Sequence, residues 1–231
     1  MENAKINVLN DSTIEFYEEI GDQHISTSID TPMREDAFDL SDEEKIEKIQ
    51  EHFREIMDTM GLDLTDDSLK GTPYRVAKMF VKEIFSGLNP ANKPKVALFE
   101  NKYRYDQMLI EKNILVQSTC EHHFLPIYGY AHVAYISNGS VIGLSKINRI
   151  VQYYAKRPQV QERLTMQILH DLQESLGTKD VAVYIDAKHM CVSSRGIKDV
   201  SSSTITTAYS GKFENENTRK EFLAAIHSPS L

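Results

Sequence analysis

The chain has only two cysteines, and their surroundings constrain the fold more than any other feature. Cys120 opens the run Cys120-Glu121-His122-His123, and Cys191 follows a histidine in His189-Met190-Cys191. Thiolate and imidazole are the ligands that zinc selects, and three protein ligands leave a fourth tetrahedral position open for a reactive water. One tight turn presents both Cys120 and His123 to a single ion, whereas Cys191 must come from a distant segment. A metal at this point clips two remote parts of the chain together, so the fold has to deliver them to one place. The competing reading is that both cysteines fill the core, where free cysteine is common. Against it stand Glu121, His122, His123 and His189, polar groups that an apolar core does not tolerate without partners. The three imidazoles among them titrate near physiological pH. A disulfide is disfavoured, because nothing else in the chain points to an oxidising compartment.

With 231 residues, 41% of them hydrophobic, the chain can bury a core without staples. No apolar run approaches the length of a membrane span. The start Met1-Glu2-Asn3-Ala4-Lys5 lacks the basic and apolar regions of a secretory leader, which makes the cytoplasm the expected compartment. Residues 1–40 carry ten Asp/Glu against two Lys/Arg, leaving twenty-four of each sign in the rest. The net charge of -8 therefore belongs to an acidic, weakly periodic arm, expected to be mobile and solvated, ahead of an electrically balanced body. Neither part looks like a nucleic-acid binder.

Ser41 with Glu44 forms a capping box, and Ile46, Ile49, Phe53, Ile56, Met57 and Met60 follow at helical spacing until Gly61. A second helix is expected from Thr72 as N-cap, with Pro73 at its first position, to about Gly87. Pro90 and Pro94 stiffen the linker beyond it. Helical periodicity then gives way to strands over 95–103, 108–118 and 129–137, with a turn at Asn138-Gly139. Two helices over 145–156 and 159–176 come next, the second with Val160, Leu164, Ile168, Leu172 and Leu176 as an apolar ridge closed by Gly177. Val181, Val183 and Ile185 alternate on a strand leading to His189. A last strand spans 200–209, and a short helix 218–226 closes the chain. This order predicts an α+β fold, with the helices on one face of an antiparallel sheet. The organisation is an arm over 1–40, a helical region and linker over 41–94, and a catalytic domain over 95–231. Exposed sheet edges call for an oligomer closed by symmetry.

Ser145, Lys146 and Arg149 open a helix, where backbone N–H groups already favour an anion, and Arg195 follows Cys191 by four. If the fold gathers these cations near the metal they suit a polyphosphate; the alternative is a solvated helix face. Glu162, beside Gln161, either serves the helix N-terminus or accepts from the ring N–H and exocyclic amine of guanine.

The runs 118–124, 141–149, 157–164 and 189–196, together with Gly71-Thr72-Pro73-Tyr74-Arg75-Val76-Ala77-Lys78-Met79, resemble those of the GTP cyclohydrolase I family in the same order. The resemblance extends from about residue 60 to the C-terminus. It implies a tunnelling fold, with sheet and helices assembled into a ring, typically a homodecamer with active sites between subunits. It further implies Zn²⁺ on Cys120, His123 and Cys191, proton handling by His122 and His189, and guanine held by Gln161 and Glu162. The triphosphate would go to Ser145, Lys146, Arg149 and Arg195, with Arg75 and Lys78 as weaker candidates. The implied reaction converts GTP and water to 7,8-dihydroneopterin triphosphate and formate, the first step of tetrahydrofolate and pterin biosynthesis. Two rivals are a fold relative that uses a cysteine nucleophile, as in the nitrile reductases of queuosine synthesis, and a non-catalytic binding or assembly protein. In the latter, zinc closes the subunit with His122 as fourth ligand.

Overall fold

A computed structural model describes residues 28–229. Most of the expected acidic arm, residues 1–27, lies outside the described residues. Helix α1 (Asp42–Thr59) starts on the capping box: the Ser41 hydroxyl accepts from Glu44 N–H at 3.2 Å, and the Glu44 carboxylate accepts from Ser41 N–H at 2.8 Å. It stops where Gly61 takes φ +78°. Helix α2 (Thr72–Met79) has Gly71, not Thr72, at its N-cap. Thr72 sits one position further in, already within the helix, and its hydroxyl accepts from the Arg75 guanidinium at 3.0 Å. Beyond Met79 the helix widens into a π turn over Phe80–Ile84, then tightens into 3-10 turns at Ser86–Leu88 and Pro90–Asn92.

The expected strand over 95–103 contracts to β1 (Leu98–Glu100), which stands apart from the main sheet and pairs only with β4 (Ser140–Ile142). Its extension is cut off where the Asn101 side chain accepts from Tyr105 N–H at 3.0 Å and Arg104 adopts φ +52°, turning the chain. The main sheet has five strands in the order β5-β2-β3-β6-β7. These are β2 (Met108–Cys120), β3 (Pro126–Ile136), β5 (Pro158–Gln159), β6 (Val181–His189) and β7 (Thr204–Tyr209). All neighbours are antiparallel except β5, which runs parallel to the end of β2, so the sheet is mixed where a purely antiparallel one was expected. Two residues of strand between helices carry too little pattern to be read in advance.

Helices α3 (Leu144–Ala155) and α4 (Gln161–Leu176) cover one face. There Val116, Val133, Val183 and Ile185 of the sheet meet Ile147, Ile150, Val151, Leu164, Ile168 and Leu172, all at most 1% exposed. Because strand side chains alternate, the neighbouring residues point the other way. Ala134, Ile136, Ala182 and Tyr184 are covered by Phe213, Phe222 and Ile226 of the C-terminal segment with α6 (Glu216–His227). The second face is thus partly roofed, by a helix for which the sequence suggested no role. Its remainder, with Leu115, Tyr128, Tyr130 and Ile205 each between 44% and 54% exposed, is bare in a single chain.

Candidate active site

Three chain segments meet at one end of the sheet. β2 ends at Cys120, β3 begins at Pro126, and β6 ends at His189, which pairs with Ile127 of β3. The intervening turn is closed by Cys120 N–H donating to Leu125 O at 2.8 Å and Phe124 N–H donating to Cys120 O at 2.9 Å, with Phe124 at φ +52°. Beyond His189 the chain makes one helical turn, α5 (Met190–Ser193), which carries Cys191. The register of β3 with β6 thus does what the sequence required. One ligand atom each from Cys120, His123 and Cys191 lies within 4.8 Å of the others, with Cys120 buried and Cys191 half-buried.

Burial pushes the Cys191 thiol up, and the adjacent Cys120 thiol adds to this, because two neighbouring thiolates repel. A divalent cation would reverse that balance by holding both as thiolates. Two sulfurs and an imidazole nitrogen are a donor set that suits zinc. His122 is not in this group; its Nδ1 lies 3.8 Å from Cys120 Sγ and its Nε2 4.0 Å from a Glu121 carboxylate oxygen.

Parallel pairing of Cys120 with Gln159 brings the start of α4 to the same place. Gln161 is 2% exposed, and its side-chain amide is turned inward, 2.8 Å from His189 Nε2. Glu162, next in the chain, is exposed. Burial holds the His189 imidazole below its ordinary pKa, and the negative charge of Glu162 partly opposes this. Arg195 also reaches the site, with Nη1 2.8 Å from His123 Nε2.

The other cations are elsewhere. Helix α3 runs alongside β2, with Asn148 donating to the Glu111 carboxylate at 3.2 Å and Gln152 to Leu115 O at 2.9 Å. Its opening residues Ser145, Lys146 and Arg149 therefore flank the 111–115 stretch of β2, roughly 17 to 30 Å from Cys120 at a strand's rise per residue. Arg149 shares a groove of about 430 Å³ with Lys82 and Lys156. Arg75 and Lys78 belong to α2; Arg75 donates to Ser68 O at 2.8 Å, and Lys78 lines a separate groove with Glu43, Glu47 and Tyr74. A single chain thus assembles the metal group, both histidines, Glu162 and Arg195, and leaves the remaining anion-binding candidates at a distance.

One functional contact escaped the sequence. Arg163, its side chain 3% exposed, holds Glu121 through both guanidinium Nη atoms, and its Nε donates to Ser28 O at 3.3 Å. One turn on, Gln167 donates to Ile29 O at 2.9 Å and accepts from Gln159 at 2.8 Å. The turn that carries two candidate ligands is therefore anchored to α4 and to the segment ahead of α1. The only advance signal was the i, i+4 spacing of Arg163 and Gln167, which looks like a solvated face.

An α+β protein that gathers two thiols and an imidazole at a sheet end, beside a half-buried second histidine, is of the class equipped to hold a metal ion. The family profile of GTP cyclohydrolase I matches residues 49–227. Among curated relatives, each named GTP cyclohydrolase 1, that of Flavobacterium johnsoniae is 67% identical over 92% of this chain and 95% of its own. Those of Aeromonas hydrophila and Salmonella arizonae are 57% and 54% identical, over 86% and 91% of this chain and 90% and 96% of theirs. A solved structure of the archaeosine synthase QueF-Like superposes on 45% of the chain at 18% identity and a TM-score of 0.38, too slight a likeness to carry an argument. The chain belongs to the GTP cyclohydrolase I family and is an enzyme of that kind, which sets aside the reading of a cysteine as the nucleophile of a nitrile reductase. No helix among the described residues is long and apolar enough to cross a membrane.

Proposed function

We propose that the chain is a zinc-dependent hydrolase converting GTP and water to 7,8-dihydroneopterin triphosphate and formate, at the head of tetrahydrofolate and pterin synthesis in the cytoplasm. The observation that carries this reading is the convergence of Cys120, His123 and Cys191 beside His189 in a chain of this family. Those three residues would hold Zn²⁺. When bound, the ion supplies a water acidic enough to attack C8 of guanine near neutral pH. His189, neutral through burial, is suited to take a proton at that stage and return it to the ring nitrogen released when the imidazole ring opens. His122, beside Cys120, assists proton transfer. Glu162, exposed on the first turn of α4, accepts from the guanine ring N–H and exocyclic amine, and the backbone N–H groups that a first turn leaves without intrahelical partners suit the carbonyl oxygen on the same edge of the base.

Arg195 takes phosphate beside the metal group, and Ser145, Lys146 and Arg149 take the rest of the triphosphate, supported by Arg75 and Lys78. Helix α3 carries these residues alongside the 111–115 stretch of β2, away from Cys120, so they are assigned to a site completed by a second copy. That geometry, the bare part of the second sheet face and the edge strand β7 support a ring of the tunnelling-fold type, a homodecamer with active sites between subunits. No nucleic acid or membrane partner is needed.

The test is incubation of metal-analysed protein with GTP, following formate and the fluorescence of the oxidised pterin. Both products together are expected. Formate alone would support hydrolysis without ring closure. Neither, in protein with stoichiometric zinc, would move the assignment to a zinc that only closes the subunit.

A further inference from the structure

The side chain of Gln161 has more partners than a substrate-binding residue can spare. One end of its amide lies 3.2 Å from Ile185 O and 2.9 Å from Thr204 O. Both are carbonyl oxygens, which only accept, so this end is the NH₂ group; the partners fix the amide orientation that shape alone does not. The other end is then the carbonyl oxygen, and it lies 2.8 Å from His189 Nε2. The hydroxyls nearby agree. Thr165 Oγ1 spends its proton on Gln161 O at 2.8 Å, so in its 2.7 Å contact with Thr206 Oγ1 it is the acceptor and Thr206 the donor. Thr206 Oγ1 is thereby left to accept from the Gln161 amide, 3.1 Å away. The directions agree throughout, with the two amide protons shared among Ile185 O, Thr204 O and Thr206 Oγ1.

We propose that Gln161 is a positioning residue that fixes His189 as its Nε2–H tautomer. A carbonyl oxygen can only accept, hence Nε2 must donate, and a neutral imidazole with its proton on Nε2 has a bare Nδ1. Gln161 draws this constraint from α4, β6 and the edge strand β7 together, which also locks the ring plane. This deepens the proposed function and rests on its assignment of His189 to proton handling. It also removes the Gln161 side chain from guanine recognition, where the family resemblance placed it, and leaves that task to Glu162 and the backbone.

The direct test is neutron diffraction from deuterium-exchanged, zinc-loaded protein at mildly alkaline pH. Deuterium on His189 Nε2 with none on Nδ1 is expected; deuterium on Nδ1 with a bare Nε2 would overturn the proposal. In solution, Gln161→Met should lower kcat by roughly ten- to a hundredfold, the range for loss of an orienting partner, with KM for GTP and bound zinc unchanged. A raised KM with kcat retained would return Gln161 to guanine binding. Should that variant not fold, Thr206→Val, at a residue with no place in substrate binding on either reading, should lower kcat without moving KM, and Thr206→Ser should restore it; an unchanged kcat in Thr206→Val would count against the tether. If the unsubstituted chain releases no formate, the functional reading fails, and the proton position in the neutron map still decides the tautomer.

Discussion

Arg163→Met should destabilise both the fold and the candidate metal turn. Arg163 is almost wholly buried and Glu121 is 18% exposed, so removing the guanidinium takes from a mostly buried carboxylate its nearest cation, with the His122 imidazole 4.0 Å away. Breaking a buried ion pair from one side costs about 3 to 5 kcal/mol, and the residual hydration of Glu121 puts this case at the low end. Ser28 O also loses its donor, for about 1 kcal/mol more. A loss of about 4 kcal/mol in all is a large share of what stabilises a domain. Adding Glu121→Gln removes the stranded charge, so the double variant should recover about half of the loss. The cycle should show a coupling above about 1 kcal/mol, as residues in contact do. The turn between Glu121 and the candidate ligand His123 also loses its anchor, and metal affinity should fall by roughly ten- to a hundredfold in the single variant. Denaturant unfolding at fixed protomer concentration reads the first effect, and competition with a chelator of known affinity reads the second. A loss below about 1 kcal/mol together with unchanged zinc affinity would refute the argument that this contact organises the turn.

Three further outcomes follow from the geometry. His189→Ala should keep its metal and lose turnover by about a hundredfold or more, and heating a mixture of His189→Ala and Lys146→Ala subunits through reassembly should restore activity that neither has alone; metal loss in the first, or no restoration in the mixture, would contradict the ligand set or the shared site respectively. Gly129→Ala should cost about 1 to 3 kcal/mol in unfolding experiments, because its Cβ would run into Asp186 O and Ala187 Cα of β6, backbone atoms that cannot swing aside. Burial, with smaller contributions from His227 and Lys112 and against the opposing charge of Asp186, holds His132 below its ordinary pKa. As pH falls below about 6.5 the unfolded chain takes up this proton before the folded one, so stability is lost on acidification, and His132→Gln should flatten that part of the Tm profile.

The helices and long strands were legible because each carries its own signal. Ser41 and Glu44 start a helix, Gly177 at φ +63° stops one, and alternation along 181–185 sorts residues onto two faces that the structure keeps apart. The metal group was legible for a different reason, since thiols and imidazoles so placed need partners wherever the chain takes them. The short strands β4 and β5 had no such signal, and β1 keeps only the middle of the strand expected over 95–103. β1 and β4 exist because each offers the other an edge, and β5 because the end of β2 offers it one; β5 matters most, since that pairing carries Gln161 to His189.

The buried polar residues of α4 mark where local pattern stops being informative. Arg163, Gln167 and Asp171 repeat every four residues, as a water-facing stripe does, while Leu164, Ile168 and Leu172 form the apolar ridge beside them. Water is excluded from that stripe by segments remote in sequence. Residues 28 and 29 accept from Arg163 and Gln167, and Lys93 of the linker reaches Asp171 at 3.1 Å. A charge on a helix becomes a structural clamp only when another part of the chain is laid over it, and that depends on a path no window of α4 contains. Once covered, such groups have to be paired. The same requirement that made Cys120 and His123 conspicuous in the sequence thus makes Arg163 hold the turn between them.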